Sequence, residues 1–84
     1  MNVADSLHAL REDALGRTFA AQTTEAALLS WQAAKKQVEL GDISPFTGLT
    51  AEQTYRQAML TQVQAEAMLY MDVAALHQAI GGAW

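Results

Sequence analysis

The stretch ELGDISPFTG, residues 39–48, interrupts a chain that otherwise reads as helix. Gly41 directly follows Leu40, and glycine most readily adopts the left-handed conformation that ends many helices. Ser44 and Pro45 suit the N-cap and the first position of a following helix. The stretch therefore predicts a short turn, residues 41–44, between two helices.

Both flanks of this turn are rich in helix-forming residues. Residues 3–40 contain no proline, and residues 45–80 continue with Ala, Leu, Gln and Met, which all favour helix. Thr50 is an alternative start for the second helix, because Thr followed three residues later by Gln fits a capping box; we favour Ser44. At ~1.5 Å per residue the helices measure ~57 and ~54 Å. Two matched rods joined by a short turn form an antiparallel hairpin.

Each helix carries two apolar stripes at three- and four-residue spacing, the pattern of coiled coils and bundles. In the first helix the first stripe comprises Val3, Leu7, Leu10, Ala14, Ala21, Leu28, Trp31 and Val38, and the second stripe comprises Leu15, Gln22, Ala26, Leu29, Ala33 and Leu40. In the second helix they comprise Tyr55, Met59, Val63, Ala67, Tyr70 and Ala74, and Ala65, Leu69, Val73, Leu76 and Ile80. Two stripes need two neighbours. We therefore expect an all-α, coiled-coil-like hairpin, one domain over residues 1–84, that self-associates as a dimer in a four-helix bundle when isolated.

Composition excludes several classes of function. The net charge of −4 and only five scattered Lys and Arg residues argue against nucleic-acid binding, which needs clustered basic side chains. The absence of cysteine rules out disulfides and thiolate chemistry. No apolar run approaches the ~18 residues of a membrane-spanning helix, and the first residues lack the pattern of a signal peptide. We expect this segment itself to be soluble.

Candidate chemical groups are few. His8 and His77 come close together at the open end of such a hairpin, so a metal-binding bundle is one hypothesis, although no carboxylate stands at ligand spacing to complete a site. Surface histidines are the simpler interpretation. No nucleophile, phosphate-binding loop or paired-carboxylate motif is present, so we expect neither catalysis nor a cofactor. Two ordinary i,i+4 ion pairs are predicted, Asp13 with Arg17 and Glu52 with Arg56.

Four segments, in order, resemble the C-terminal part of the TolC-like outer membrane efflux proteins, in particular the lipoprotein branch. They are VADSLHAL (3–10), QVELGDIS (37–44), LTAEQTYRQAML (49–60) and LYMDVAALHQAIGGAW (69–84). Members of that family commonly end in ALGGGW, which is similar to the AIGGAW at residues 79–84. Their tip motif is similar to Val38, Gly41 and Ser44 followed by Leu49 and the AEQ run.

This resemblance implies a specific role. In the family three chains form a β-barrel in the outer membrane and a long periplasmic α-barrel, through which the substrate leaves. A segment like this one descends to the periplasmic tip and climbs back, and helps to form the entrance and the surface that meets the periplasmic adaptor protein, itself coupled to an inner-membrane pump. The tip and entrance positions that the resemblance implies are Gly41, Asp42, Ile43, Ser44, Thr47 and Thr50.

The sequence also departs from the family pattern. Some members place aspartates where this chain has Thr47 and Thr50, so no carboxylate ring is expected there. An arginine and a tyrosine that tie some closed entrances correspond to Ile43 and Val38, so those ties are absent. The resemblance further implies that the 84 residues are a fragment of a longer outer membrane protein. An independent helical-hairpin interaction module is the alternative function.

The C-terminal tail, residues 81–84, carries the family signature of Gly81, Gly82 and Trp84. We expect Gly81 to end the second helix in a left-handed conformation and Gly82 to let the chain fold back. Trp84 is then expected to pack near the start of the first helix or to stay disordered.

Overall fold

The computed structural model describes residues 2–82, which form an antiparallel hairpin of two long helices. Helix α1 spans Val3–Glu39 and helix α2 spans Pro45–Gly82. The hairpin is only 14 by 12 Å across in its Cα extents, and the described residues contain no strand. The predicted fold class is confirmed.

Neither helix, over the part of the chain that the structure describes, is long and apolar enough to cross a membrane.

The turn forms as its residues predict. Gly41 has φ +79° and donates its N–H to the carbonyl of Val38, while the Asp42 N–H reaches the carbonyl of Gln37 at 2.8 Å. This pair of bonds is the Schellman motif, which satisfies carbonyls left free at a helix end. The left-handed conformation at Gly41 thus ends α1, with Leu40 as its C-cap.

Side chains cap the N-terminus of each helix. The Asn2 side chain accepts a hydrogen bond from the Asp5 N–H at 2.9 Å at the start of α1. At the start of α2, Ser44 Oγ accepts from the Thr47 N–H at 3.2 Å. The predicted start at Ser44 and Pro45 is therefore confirmed. The alternative start at Thr50 is wrong, because that residue already lies inside α2.

The two helices meet along one interhelical seam, whose residues recur at the heptad spacing of three and four. On α1 the half-buried or buried seam residues are Ser6, Leu10, Asp13, Ala20, Thr24, Ala27, Trp31, Ala34 and Val38. On α2 they are Gly48, Ala51, Tyr55, Ala58, Gln62, Ala65, Leu69, Asp72, Leu76 and Ala79. Most are small, so the backbones approach closely enough for Thr24 Oγ1 to reach the Ala58 carbonyl of the other helix at 3.1 Å. On α1 the seam overlaps the first predicted stripe, and on α2 it takes residues from both predicted stripes, so it follows residue size more closely than hydrophobicity.

The second stripe of α1 lies outside this seam. All six of its members are exposed to solvent. Leu15, Leu29 and Leu40 keep 60–67% of their surface accessible. One predicted neighbour of α1 is therefore α2, and the surface for another neighbour stays open.

The C-terminal end differs from the sequence prediction. Helix α2 continues through Gly81 to Gly82, two residues beyond the predicted end, and α1 ends at Glu39, one residue early. The prediction that Gly81 adopts a left-handed conformation is wrong, since Gly41 is the one described residue with positive φ. Glycine occupies right-handed helix as well as left-handed caps, so its presence alone does not end α2. The prediction for Trp84 lies outside the described residues.

Candidate functional site

The hairpin tip brings together the six positions that the resemblance singles out. Gly41, Asp42 and Ser44 lie in the turn and are exposed, and Ile43 between them is half-buried. Thr47 lies in the first turn of α2, where its hydroxyl is 3.0 Å from Ser44 Oγ. These contacts give the tip a hydroxyl-bearing surface.

Thr50 lies one turn further along α2 and does not join this hydroxyl pair. Its hydroxyl donates to the Phe46 carbonyl at 3.2 Å, the back-bonding typical of threonine inside a helix. Its side chain is exposed.

Two residues at the tip were missed by sequence reasoning. Gly48 is buried in the seam, and a Cβ added there stands 2.8 Å from Val38 Cγ2, so glycine is what lets the helices close beside the turn. Phe46 has 76% of its surface exposed, next to Leu49 one turn on. A glycine inside a helical pattern and a phenylalanine directly after a proline were the available signals.

An aromatic pair joins the two helices about three turns from the tip. The rings of Trp31 on α1 and Tyr55 on α2 stack with centroids 5.4 Å apart and planes 22° from parallel. Lys35 Nζ lies 4.9 Å from the Trp31 ring centroid, in cation–π range. The two rings are the largest side chains in a seam rich in alanine, so they anchor the tip half of the hairpin.

Two carboxyl groups face each other across the seam in the open half. Asp13 lies on α1 and Asp72 on α2, both half-buried. A hydrogen bond with Asp13, reinforced by burial and by the negative charge of Asp13, raises the pKa of Asp72 above its usual 3.8. Asp72 Oδ2 is enclosed, and no donor in residues 2–82 reaches it. The seam therefore leaves this carboxyl oxygen without a hydrogen-bond donor.

Of the two predicted ion pairs, one forms and the other does not. Arg56 binds Glu52 through Nη2 at 2.8 Å and Nε at 3.2 Å, which confirms that pair. Within the described residues, Asp13 and Arg17 form no ion pair. Asp13 is instead half-buried in the seam, where it interacts with Asp72, whereas Arg17 is exposed.

A groove lined almost entirely by uncharged residues runs along one side of the seam. It encloses about 430 Å³, and we call it the neutral groove. Its lining residues are Asp13, Gly16, Phe19, Ala20, Thr23, Ala27, Thr54, Gln57, Ala58, Thr61, Ala65 and Met68. Asp13, at one end, is the single charged member. The opposite side of the seam carries Arg17, Glu25 and Glu66, so the two sides differ in charge.

The histidines do not form a metal centre with other side chains. His8 and His77 are both exposed, and His8 Nε2 lies 3.9 Å from Glu12 on its own helix. Over residues 2–82 no three His, Asp or Glu side chains converge in a metal-binding arrangement.

No protein-family model, characterised protein or solved structure matches the chain. The described residues present three surface features: a structured tip with an exposed aromatic residue, an open apolar stripe on α1, and a neutral groove beside the seam.

Proposed function

We propose that this hairpin is a wall segment of a TolC-like outer membrane efflux duct, with its turn at the periplasmic entrance and its tip as part of the surface that meets the adaptor protein. The observation that carries the proposal is the exposed second stripe of α1. In a ring of helices every helix packs against a neighbour on each side, and α1 has α2 on one side and this open stripe on the other.

The tip supports the proposed contact with the adaptor protein. Phe46 presents a large aromatic surface beside the hydroxyl groups of Ser44 and Thr47. Exposed aromatic residues surrounded by polar groups are typical anchors of protein–protein contacts. An adaptor that is itself a helical hairpin offers the apolar face such an anchor needs. In the complete protein we expect a trimer in the outer membrane that works with an inner-membrane pump.

A binding experiment tests the adaptor contact. The chain, labelled at its N-terminal amine, is titrated with the purified helical hairpin of an adaptor from a tripartite efflux system, and fluorescence anisotropy is measured. Saturable binding is expected, and Phe46→Ala should weaken it about tenfold, the effect of about 1.4 kcal/mol. Tyr70→Ala is the matched control, since Tyr70 is equally exposed, at 74%, but lies far from the tip.

Absence of binding, or equal losses in the two variants, would contradict adaptor docking through the tip. Equal losses would instead favour the alternative of a general helical interaction module. The reading frame around the coding sequence gives a second test, because the proposal expects a β-strand-rich half upstream.

A further inference from the structure

The chain exposes more surface than a folded monomer of its size. Its accessible surface is 6208 Å², whereas a compact monomer of 9.1 kDa exposes about 4,900 Å². The excess of about 1,300 Å² is larger than the ~800 Å² that each partner contributes to a standard interface. Enough surface is therefore open to support one complete additional interface.

The neutral groove is the part of that surface best shaped for another helix. Small residues form its floor, among them Ala20, Ala58 and Ala65, so a neighbouring helix can approach closely. Phe19 and Met68 line it and remain exposed, at 71% and 49%. Each copy of the chain thus has a groove and also exposed side chains that can fill the groove of a second copy.

Charge selects the kind of partner. Burying an unpaired charge is costly, and the groove has a carboxylate only at its open end, Asp13, whereas the opposite side of the seam carries Arg17, Glu25 and Glu66. A partner for the groove must therefore be an uncharged, alanine-rich helical face. The chain itself carries such a face.

We propose that the neutral groove is the docking site for a second copy of this chain. The two hairpins pack groove against groove around a twofold axis, with Phe19 of each copy directed at Gly16 of the other. Gly16 lines the groove and has no side chain, and a Cβ added there meets open space, so this position leaves room for an aromatic ring.

The pairing is antiparallel, with the axis near Gly16 and Phe19. A parallel arrangement would bring together the two Asp13–Asp72 pairs and their negative charges. In the antiparallel arrangement these carboxyl groups face uncharged residues in the middle of the partner, such as Thr23. Each tip projects beyond the interface, and the two tips point in opposite directions. This dimer is therefore an assembly of the chain by itself, distinct from the proposed ring, in which all tips lie at one entrance.

Sedimentation equilibrium with two matched variants tests the docking surface. Gly16→Lys places a charged side chain in the groove, and Gly81→Lys makes the same change in α2, where an added Cβ also meets open space. At about 50 μM, wild type and Gly81→Lys should sediment as dimers and Gly16→Lys as a monomer. The lysine at position 16 should weaken dimer association at least a hundredfold, which corresponds to about 2.7 kcal/mol. A monomeric wild type, or a dimeric Gly16→Lys, would overturn the proposal.

Cysteine cross-linking tests the arrangement, since the chain has no native cysteine. Gly16→Cys lies near the proposed axis and should form a disulfide-linked dimer under mild oxidation. Ser30→Cys lies on the same side of α1 but two helical heptads away, and should not. Cross-linking of both variants would show a parallel dimer, and cross-linking of neither would remove the groove from the interface; either result overturns the arrangement.

Discussion

The two ends of this hairpin are built differently. Near the tip the helices are joined by the Trp31–Tyr55 stack and by the close contact of Val38 with Gly48, and the turn satisfies its own backbone groups. In the open half, Asp13 faces Asp72 across the seam. The turn end therefore holds the hairpin together, while the open half contains polar groups that a two-helix seam satisfies poorly.

Ser6, at the far end of the open half, is another polar group that the seam leaves without a partner. It is the most buried polar residue described, at 1% exposure, and its hydroxyl oxygen has no hydrogen-bond partner in the described chain. A buried hydroxyl left without a partner destabilises a fold by roughly 1–3 kcal/mol. The stability of the hairpin is therefore expected to fall from the tip to the open end, where opening begins.

The largest effect is expected from breaking the aromatic pair. Trp31→Ala removes the stack with Tyr55 and the bulk of that seam layer, and should destabilise the hairpin by about 2 kcal/mol or more. Tyr70→Ala removes an aromatic ring that is 74% exposed, and should change stability by less than about 0.5 kcal/mol. Urea unfolding followed by circular dichroism measures both. If the two substitutions cost the same, the tip half is not anchored by its aromatic pair.

A smaller effect, with opposite signs at the two ends, is expected at two helical glycines. Gly48→Ala forces a Cβ to 2.8 Å from Val38 Cγ2; the strain of about 1–3 kcal/mol exceeds the gain in helix propensity of about 1 kcal/mol, so the variant should be less stable. Gly81→Ala meets open space and should gain a few tenths of a kcal/mol. Thermal melting distinguishes them, and a stabilised Gly48→Ala would mean that the helices can separate near the turn without loss.

Sequence reasoning succeeded where local chemistry decides the structure. The left-handed conformation at Gly41 and the Ser44–Pro45 start of α2 depend on a few adjacent residues, and both were predictable. The choice of seam was harder, because alanine-rich helices offer several stripes of similar hydrophobicity and the closest approach depends on residues from both helices. Gly48 and the Asp13–Asp72 pair were missed for the same reason. Their contacts across the seam can be predicted only when the register between the two helices is known. Gly81 was mispredicted because glycine also occupies right-handed helix, so its presence alone does not end one.

The smallest and most selective test concerns Asp72. Because its pKa is raised in the folded hairpin, the pair contributes stability below the usual aspartate pKa of 3.8, and this contribution is lost as the pH rises through the raised folded value. Asp72→Asn keeps the shape of the side chain and supplies an amide donor for Asp13, so it should raise the melting temperature more at pH 7 than at pH 4. Asp42→Asn, which changes an exposed carboxyl group in the turn, is the control and should show no such difference. An Asp72→Asn variant with the same gain at both pH values would mean that Asp13 does not raise the pKa of Asp72, and that the weakness of the open half has another origin, such as the unpaired hydroxyl of Ser6.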